Sequence, residues 1–284
     1  MTLLAIPNVS EGRDQPAIDA IADAFKTRAR LLDVHSDTDH HRSVFTLAGE
    51  PGELATAVAD GAAEVVRQVD LNAHEGIHPR VGAIDVAPIV YLDPADRGAA
   101  CAEALVLGDL LGEELELPVF LYGELAPGRT RAELRRGGPE TLAKRIESGE
   151  IRPDFGPHKI HPTAGAVLVA ARRPLVAFNV ELAPPATLED ARSIAARIRE
   201  GGPEGLESVR AIGLWLAARD VAQVSTNVED HRATPLATVV AAIARHATPS
   251  QAELVGLAPR AAFEGFPADL PVANRRVVED ALAE

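Results

Sequence analysis

N-A-H-E-G-I-H-P-R-V-G-A-I-D-V, residues 72–86, contains the pattern H-E-x-x-H, which binds zinc in one class of metalloproteases. That chemistry requires a helix, because only a helix brings both histidines to one face. Here Pro79 follows the second histidine directly, so His78 should be extended or in a turn. The run Val81 to Val90 is rich in Val, Ile and Ala and predicts a buried strand. The stretch therefore predicts a loop that enters a strand, and not a zinc-binding helix.

A loop that ends on a rigid strand is a common place for catalytic groups. His78 can act as a general acid or base, because an imidazole titrates near neutral pH. Pro79 restricts the backbone beside it, and Arg80 offers a planar fork for a carboxylate. A hydrogen-bonded loop histidine beside a surface arginine is the competing interpretation. These residues alone leave both open.

Composition limits the classes of function. The chain has 284 residues, of which 46% are hydrophobic and 4% aromatic, so one large domain or two small ones can form cores of Ala, Val, Leu and Ile. A net charge of −14 argues against nucleic-acid and anionic-membrane partners. Cys101 is the single cysteine, and no stretch has the features of a signal peptide or a membrane span. We expect a soluble cytoplasmic protein.

Helical and strand patterns alternate along the chain. Residues 3–170 predict the order β-α-β-β-α-β-β-α-β, and residues 175–257 predict β-α-β-β-α-β. The Arg- and Glu-rich residues 128–150 predict a solvated helical excursion, and residues 272–282 predict a terminal helix. The predicted fold is α+β, with two ferredoxin-like subdomains that contain mixed or antiparallel sheets. The predicted boundary divides the chain into residues 1–171 and 172–284.

An acidic, histidine-rich turn joins two predicted strands at residues 35–42, which read H-S-D-T-D-H-H-R. Oxygen and imidazole ligands together suit a divalent metal, which makes a metal-dependent hydrolase one hypothesis. Its candidate ligands are His35, Asp37, Asp39 and His40. Two strands joined by a tight turn would point alternate side chains to opposite faces, which favours a polar, substrate-facing hairpin instead.

A second irregular loop, P-D-F-G-P-H-K-I-H-P-T-A-G at residues 153–165, precedes the last strand of the first half. Lys159, one of three lysines in the chain, lies there between two histidines. Such a loop can offer backbone N–H groups and a cation to an anionic ligand. An exposed connecting loop is the alternative that composition leaves open.

Several of these segments resemble one family. The pattern H-x-G-x-H-P-R-x-G-A-x-D at residues 74–85, P-N-V-S-E-G at 7–12, P-D-F-G-P at 153–157, A-Q-V-S-T-N at 222–227 and L-V-G-L-x-P at 254–259 are similar to formiminotransferase signatures, in the same order. The resemblance covers nearly the whole chain. It implies transfer of a formimidoyl group from N-formimidoyl-L-glutamate to N5 of tetrahydrofolate, in a groove between two subdomains. The chain ends soon after the second subdomain, so we expect no fused cyclodeaminase domain.

The resemblance also implies roles for particular residues. His78 would be the general acid and base, with Arg42, Arg80 and Lys159 as cations for the substrate carboxylates. Asn8, Ser225 and Asn227 could orient the amidine, and His35, Asp37 or Asp39 could assist His78. The segment assigned to the pterin and folate comprises Gly156, Pro157, His158, Lys159, Ile160, His161, Pro162, Thr163, Ala164 and Gly165.

Tetrahydrofolate is then the co-substrate, and no metal is expected. The family often forms dimers, so a homodimer is one expectation. Two alternatives remain besides the metal-dependent hydrolase. The same fold could transfer a formyl group between 5-formyltetrahydrofolate and glutamate, or the protein could bind folate without catalysis.

Overall fold

Strands of this protein pair in two separate sheets, one in each part of the chain. The structure is a computed structural model that describes residues 1–76 and 79–284. The chain divides into two units, Met1–Arg172 and Arg173–Glu284, each with its own hydrophobic core. Helices pack on mixed or antiparallel sheets in both units, so the fold class is α+β, as the sequence predicts.

The first unit contains seven strands and five helices among its described residues. The strands are β1 (Leu3–Ala5), β2 (Asn8–Val9), β3 (Arg30–Asp37), β4 (Arg42–Gly49), β5 (Ile84–Val90), β6 (Val119–Leu121) and β7 (Val167–Arg172). The helices are α1 (Gln15–Phe25), α2 (Leu54–Gln68), α3 (Arg97–Glu113), α4 (Arg131–Arg135) and α5 (Gly138–Glu147). The sequence predicts residues 8–12 as a loop, whereas Asn8 and Val9 form a short strand that continues the line of β1.

The first sheet is mixed. β1 and β2 lie end to end between β4 and β5, and β3 pairs with the outer edge of β4, all antiparallel. β7 pairs with β5 and β6 pairs with β7, both parallel. Up to β5, this is the β-α-β-β-α-β order of a ferredoxin-like unit, with two parallel strands added.

Helix α1 shows how the sequence specifies these elements. The Asp14 side chain accepts a hydrogen bond from the Ala17 N–H at 3.2 Å and caps the helix. Ile18, Ile21 and Phe25 recur at helical spacing and are buried against the sheet. The two helices α1 and α2 cover one face of the sheet together with α3, and their apolar stripes form the main core.

The Arg- and Glu-rich segment near residues 128–150 is helical, as predicted, but it is not a solvated excursion. It contains two helices, α4 and α5, and both pack on the sheet. Leu134, Leu142 and Ile146 are buried in a second cluster with Phe120 and Leu168 on the opposite face of the sheet. Charged residues conceal this packing, because the apolar positions are sparse and each helix is too short to show a clear period.

The second unit has an antiparallel sheet with one added edge strand. Its elements are β8 (Val176–Leu182), α6 (Leu188–Ile198), β9 (Val209–Leu216), β10 (Val221–Val228), α7 (Leu236–Ala244), β11 (Pro249–Val255), β12 (Val272–Ala273) and α8 (Val278–Ala283). The strand order is β12-β11-β8-β10-β9, and only the β11–β12 pairing is parallel. The sequence-predicted ferredoxin-like arrangement is therefore present between β8 and β11.

The terminal helix predicted at residues 272–282 is shorter than expected. Val272 and Ala273 pair with β11, and the helix α8 begins only at Val278. Asn274 has a φ angle of 58°, which lies in the left-handed region and interrupts a helix. Among the described residues, no helix combines the length and hydropathy needed to cross a bilayer.

Candidate active site

The described part of the loop before β5 is not helical beyond Ala73. Leu71–Ala73 form one 3-10 turn, and His74 is extended, with φ −84° and ψ 123°. A continuous zinc-binding helix is therefore absent at this first histidine. His78, the predicted general acid and base, lies outside the described residues, as does Ile77.

The loop is attached to the β3–β4 turn by two stacked imidazoles. The rings of His41 and His74 have centroids 4.2 Å apart and planes inclined by 25°. The His74 Nε2 lies 3.0 Å from the His41 carbonyl oxygen, and its buried Nδ1 has no hydrogen-bond partner among the described residues. Burial lowers the pKa of both imidazoles, and His74 lowers that of His41 further. Both rings therefore favour the neutral form at this contact.

Arg80 closes the same loop on itself. Its Nη1 donates to the Gly76 carbonyl at 3.0 Å, and its Nη2 donates to the His74 carbonyl at 2.9 Å. The guanidinium is partly buried, and this burial lowers its pKa. Both terminal nitrogens of the Arg80 guanidinium thus hold the backbone of the loop. This is a positioning role in addition to the predicted role as a cation.

Gly76 allows the loop to approach the turn. A Cβ at this position would lie 2.8 Å from the His40 carbonyl oxygen and 2.9 Å from the Cβ of His41. Both distances are shorter than ordinary carbon contacts. The glycine is therefore required by close approach of two backbones.

Glu11 organises the segment after β2. Its carboxylate accepts hydrogen bonds from the backbone N–H groups of Gly12, Arg13 and Asp14 at 2.8, 2.7 and 3.0 Å. Burial opposes its ionisation, but these donors and His41 together lower the pKa of Glu11. The Gly12 N–H also points at the His41 Nδ1, 3.1 Å away. Three segments therefore meet at one place, which we call the junction. They are the Glu11 turn (residues 11–14), the β3–β4 turn (residues 38–41) and the His74 loop (residues 71–76 and 79–83).

A buried charged network lies beside this junction. Arg42, at the start of β4, donates through Nη2 to the Oδ1 of Asn8, which is 8% exposed. Its Nη1 lies 3.8 Å from Asp85 Oδ2, and Asp85 also accepts from Arg135 and from the Val81 N–H. Burial and the neighbouring Arg135 lower the pKa of Arg42. The structure thus brings together two predicted site residues, Asn8 and Arg42.

The acidic turn shows internal pairing. Asp37 lies opposite Arg42 in the β3–β4 pairing, and the His40 Nδ1 lies 3.0 Å from its Oδ1. Burial opposes ionisation of Asp37, yet the bonds from His40 lower its pKa to about 2. His35 lies opposite Val44, and Asp39 is partly exposed in the turn. Within the described ranges, no group of three or more His, Cys, Asp or Glu side chains is placed to hold a metal ion.

The end of the predicted folate segment adjoins the central loop. In the turn 161–165 the first and last residues exchange two backbone hydrogen bonds of 3.1 Å. The turn is held by the Ala83 N–H, which donates to the Ala164 carbonyl at 2.8 Å, and by the Leu71 N–H, which donates to the Thr163 carbonyl at 2.9 Å. The structure therefore places this turn against both ends of the segment that contains His74 and Arg80.

The remaining predicted residues lie elsewhere. His158 and Lys159 are exposed, and Gly156, Pro157 and Ile160 are partly exposed in the same loop. Ser225 and Asn227 belong to β10 of the second unit and lie on the same face of that strand, partly exposed. Their strand neighbour on that face is Gln223, which is fully buried.

Some residues at the junction were not predicted as site residues. They are Glu11, His41, His74, Asp85 and Arg135. Asp85 stands in the quoted H-x-G-x-H-P-R-x-G-A-x-D pattern, which is a signal that could have identified it. No comparable signal marks Arg135, because its contact with Asp85 spans 50 residues of sequence.

Comparison with known proteins identifies the family. The model of the "Formiminotransferase domain, N-terminal subdomain" matches residues 2–172, and that of the "Formiminotransferase domain" matches residues 177–264. The chain is 38% identical over 271 residues to a formimidoyltransferase-cyclodeaminase of Sus scrofa, covering 89% of this chain and 49% of that protein. The chain thus spans about half the length of the first of its curated relatives.

Two shorter relatives match along most of their own length. A glutamate formimidoyltransferase of Streptococcus pyogenes is 38% identical, with 78% of this chain and 76% of that protein covered. One of Thermoplasma acidophilum is 34% identical, with 91% of this chain and 88% of that protein covered. The first family model alone matches more than half of the 284 residues. This chain therefore belongs to the formiminotransferase family.

Proposed function

We propose that this protein transfers a formimidoyl group from N-formimidoyl-L-glutamate to N5 of tetrahydrofolate, which yields 5-formimidoyltetrahydrofolate and L-glutamate. The observation that carries the proposal is the likeness to two proteins named glutamate formimidoyltransferase along most of their length. The convergence of the Glu11 turn, the His74 loop and the turn 161–165 supports it. Tetrahydrofolate is a co-substrate here and not a bound prosthetic group.

His78 has the general acid–base role in this proposal. N5 attacks the formimidoyl carbon, and a tetrahedral carbon forms as N5 loses its proton to a base. The bond from that carbon to the glutamate nitrogen then breaks, and the departing nitrogen receives a proton. One imidazole with a pKa near neutral can accept the first proton and donate the second. Arg80, two residues after His78 in sequence, donates to the carbonyls of His74 and Gly76, which precede His78.

In this proposal, the protein also accelerates the transfer by holding the two substrates close together. Arg42 and Arg80 are the proposed cations for the substrate carboxylates, because Arg42 contacts Asn8 and Arg80 contacts the His74 carbonyl. The segment Gly156–Gly165 is the proposed pterin and folate contact, with Lys159 as an exposed cation. In the second unit, Ser225 and Asn227 are the proposed hydrogen-bonding partners of the amidine. Holding two reactants in register replaces a bimolecular encounter by an effectively intramolecular step.

The test is turnover of N-formimidoyl-L-glutamate with tetrahydrofolate, measured through the folate product in buffer that contains EDTA. Wild-type protein should turn over in EDTA, and His78→Ala should lose about 10²-fold or more in kcat while it still binds tetrahydrofolate. Turnover abolished by EDTA and restored by Zn²⁺ or Mn²⁺ would favour the metal-dependent hydrolase. Turnover with 5-formyltetrahydrofolate and glutamate alone would favour formyl transfer, and binding without any turnover would leave a folate-binding protein.

The proposal includes a homodimer and a cytoplasmic location, both of which rest on the resemblance to the family. Light scattering on the purified protein tests the first. A mass near 29.9 kDa would mean a monomer, and a mass of about twice that value would support the dimer.

A further inference from the structure

The guanidinium groups of Arg42 and Arg135 both lie close to the carboxylate of Asp85, beside the junction. Arg135 donates to both oxygens of Asp85, through Nη2 to Oδ2 and through Nε to Oδ1 at 3.4 Å. The Nη1 of Arg42 is 3.8 Å from the same Oδ2, which is beyond hydrogen-bond distance. The side chains of Arg42, Arg135 and Asp85 are 15%, 12% and 2% exposed. Asp85 therefore accepts three hydrogen bonds from the Val81 N–H and Arg135, and both arginines lie in surroundings that exclude most water.

Tyr122 packs in the same buried cluster as Val81, whose N–H donates to Asp85. Tyr122 follows β6 and is 5% exposed, and its hydroxyl has no hydrogen-bond partner among the described residues. The guanidinium carbon of Arg131 lies 5.9 Å from the centre of its ring. Tyr122 and Arg131 are also among the groups that act electrostatically on Arg42. A buried hydroxyl without a partner is unfavourable, so such groups usually indicate an absent ligand or water.

We infer that Tyr122, Arg42 and Arg135 form a binding site for a carboxylate group of a substrate. This inference rests on the proposed formimidoyl transfer, because both of its substrates carry carboxylates. The chemistry of the site matches such a ligand. A phenol hydroxyl donates one hydrogen bond to a carboxylate oxygen, and guanidinium groups supply charge and further N–H donors. Bound in low-dielectric surroundings, the carboxylate would balance the repulsion between the neighbouring guanidinium groups.

The carboxylate can come from two sources. N-formimidoyl-L-glutamate carries two carboxylates, and the glutamate portion of tetrahydrofolate carries two as well. The Tyr122→Phe variant separates them, because it removes only the hydroxyl and keeps the ring that Arg131 faces. We expect the KM of one substrate to rise about ten-fold or more, as for loss of a hydrogen bond to a charged group, with a much smaller change in kcat. A raised KM for N-formimidoyl-L-glutamate indicates the donor, and a raised KM for tetrahydrofolate indicates the folate tail.

The chain offers a matched control in its only other tyrosine, Tyr91. The Tyr91 hydroxyl donates to the Glu124 carboxylate, so Tyr91→Phe removes a hydroxyl that already has a protein partner. Tyr91→Phe should lower the unfolding temperature and leave both KM values unchanged. Tyr122→Phe should leave the unfolding temperature unchanged or raise it, because its hydroxyl has no described partner to lose. Both KM values of Tyr122→Phe within two-fold of wild type would overturn the inference.

A binding measurement separates failure of the site from failure of the proposed reaction. Calorimetric titration with glutarate, a dicarboxylate that cannot react, reports the site alone. Binding to wild type that weakens about ten-fold in Tyr122→Phe supports the site even if no formimidoyl transfer is found. The site is overturned if the KM values are unchanged and glutarate binds equally to both proteins or does not bind to wild type. The transfer reaction itself would then remain supported by its own turnover.

Discussion

Replacement of His74 by Gln tests whether the two stacked imidazoles make the first unit sensitive to acid. Burial lowers the pKa of both His41 and His74 in the folded protein. Between the ordinary histidine pKa and the lowered one, the unfolded chain binds more protons than the folded chain. The stabilising contribution is therefore complete above about pH 6.5, and it is lost as the pH falls towards the lowered pKa of the folded state.

The geometry limits the size of this effect. Each imidazole can contribute at most about 1.4 kcal/mol of unfolding free energy per pH unit in that window. A second proton on the pair would place two positive charges near the 4.2 Å ring separation. Their repulsion amounts to about 1 kcal/mol in water-like surroundings and to about 4 kcal/mol at an effective dielectric constant of 20. His74→Gln should therefore reduce the loss of stability between pH 7 and pH 5 by about 1 kcal/mol or more.

Intrinsic probes report the two units separately. Both tyrosines lie in the first unit, and Trp215 lies in the second. Urea unfolding at pH 7, 6 and 5 is followed through tyrosine absorbance for the first unit and tryptophan fluorescence for the second. His158→Gln changes an exposed histidine and serves as the control. The reasoning fails if His74→Gln keeps the wild-type pH dependence in the tyrosine signal, or if His158→Gln alters that signal equally.

Three further predictions concern single side chains. Arg80→Lys replaces a guanidinium that donates to two carbonyls by an ammonium group that acts as a point charge. The kcat of the proposed formimidoyl transfer should fall about ten-fold or more, with a small change in unfolding free energy. An unchanged kcat would contradict the positioning role of Arg80. Gly12→Ala places a Cβ 2.3 Å from the Asp37 carbonyl oxygen. It should lower the unfolding free energy of the first unit by about 1–3 kcal/mol, measured by urea unfolding. Gly98→Ala is the control and should not destabilise the unit, because no atom lies within 4 Å of the added Cβ. Gln223→Leu removes a buried side-chain amide that has no described hydrogen-bond partner. It should raise the unfolding free energy of the second unit by about 1–3 kcal/mol. A decrease would show that the amide forms hydrogen bonds in the folded protein.

Local signals in the sequence predict the backbone around the site correctly. The apolar run Val81–Val90 predicts a strand, and β5 spans Ile84–Val90, while His74 is extended and not helical. The β-branched and aromatic residues 43–48 predict β4 correctly, whereas β3 extends to Asp37, into the segment predicted as the acidic turn. Each of these features depends on neighbours a few residues away, which is the range over which propensity and steric rules act.

The stacking of His41 on His74 could not be predicted in the same way. It requires His41 to adopt a left-handed φ of 51°, and Gly76 to let two backbones approach. Both conditions depend on how the β3–β4 turn lies against a loop more than thirty residues away. The contact of Arg135 with Asp85 is similar, because α4 had to be recognised as a packed helix before its arginine could be placed.

The sheet face opposite α1–α3 in the first unit, and opposite α6 and α7 in the second, contains polar residues. On β4, Phe45 and Leu47 face the helices, so the alternating Arg42 points to the other side. On β8 and β10, Phe178 and Val224 face the helices, and Asn179 and Gln223 point away. Apolar contact with the helices stabilises the first set, so its substitutions should act through unfolding free energy. The fold does not require the polar set in this way. Tyr122→Phe, which keeps the ring, should therefore change substrate binding more than stability, whereas Gln223→Leu should raise stability because the buried amide has no described hydrogen-bond partner.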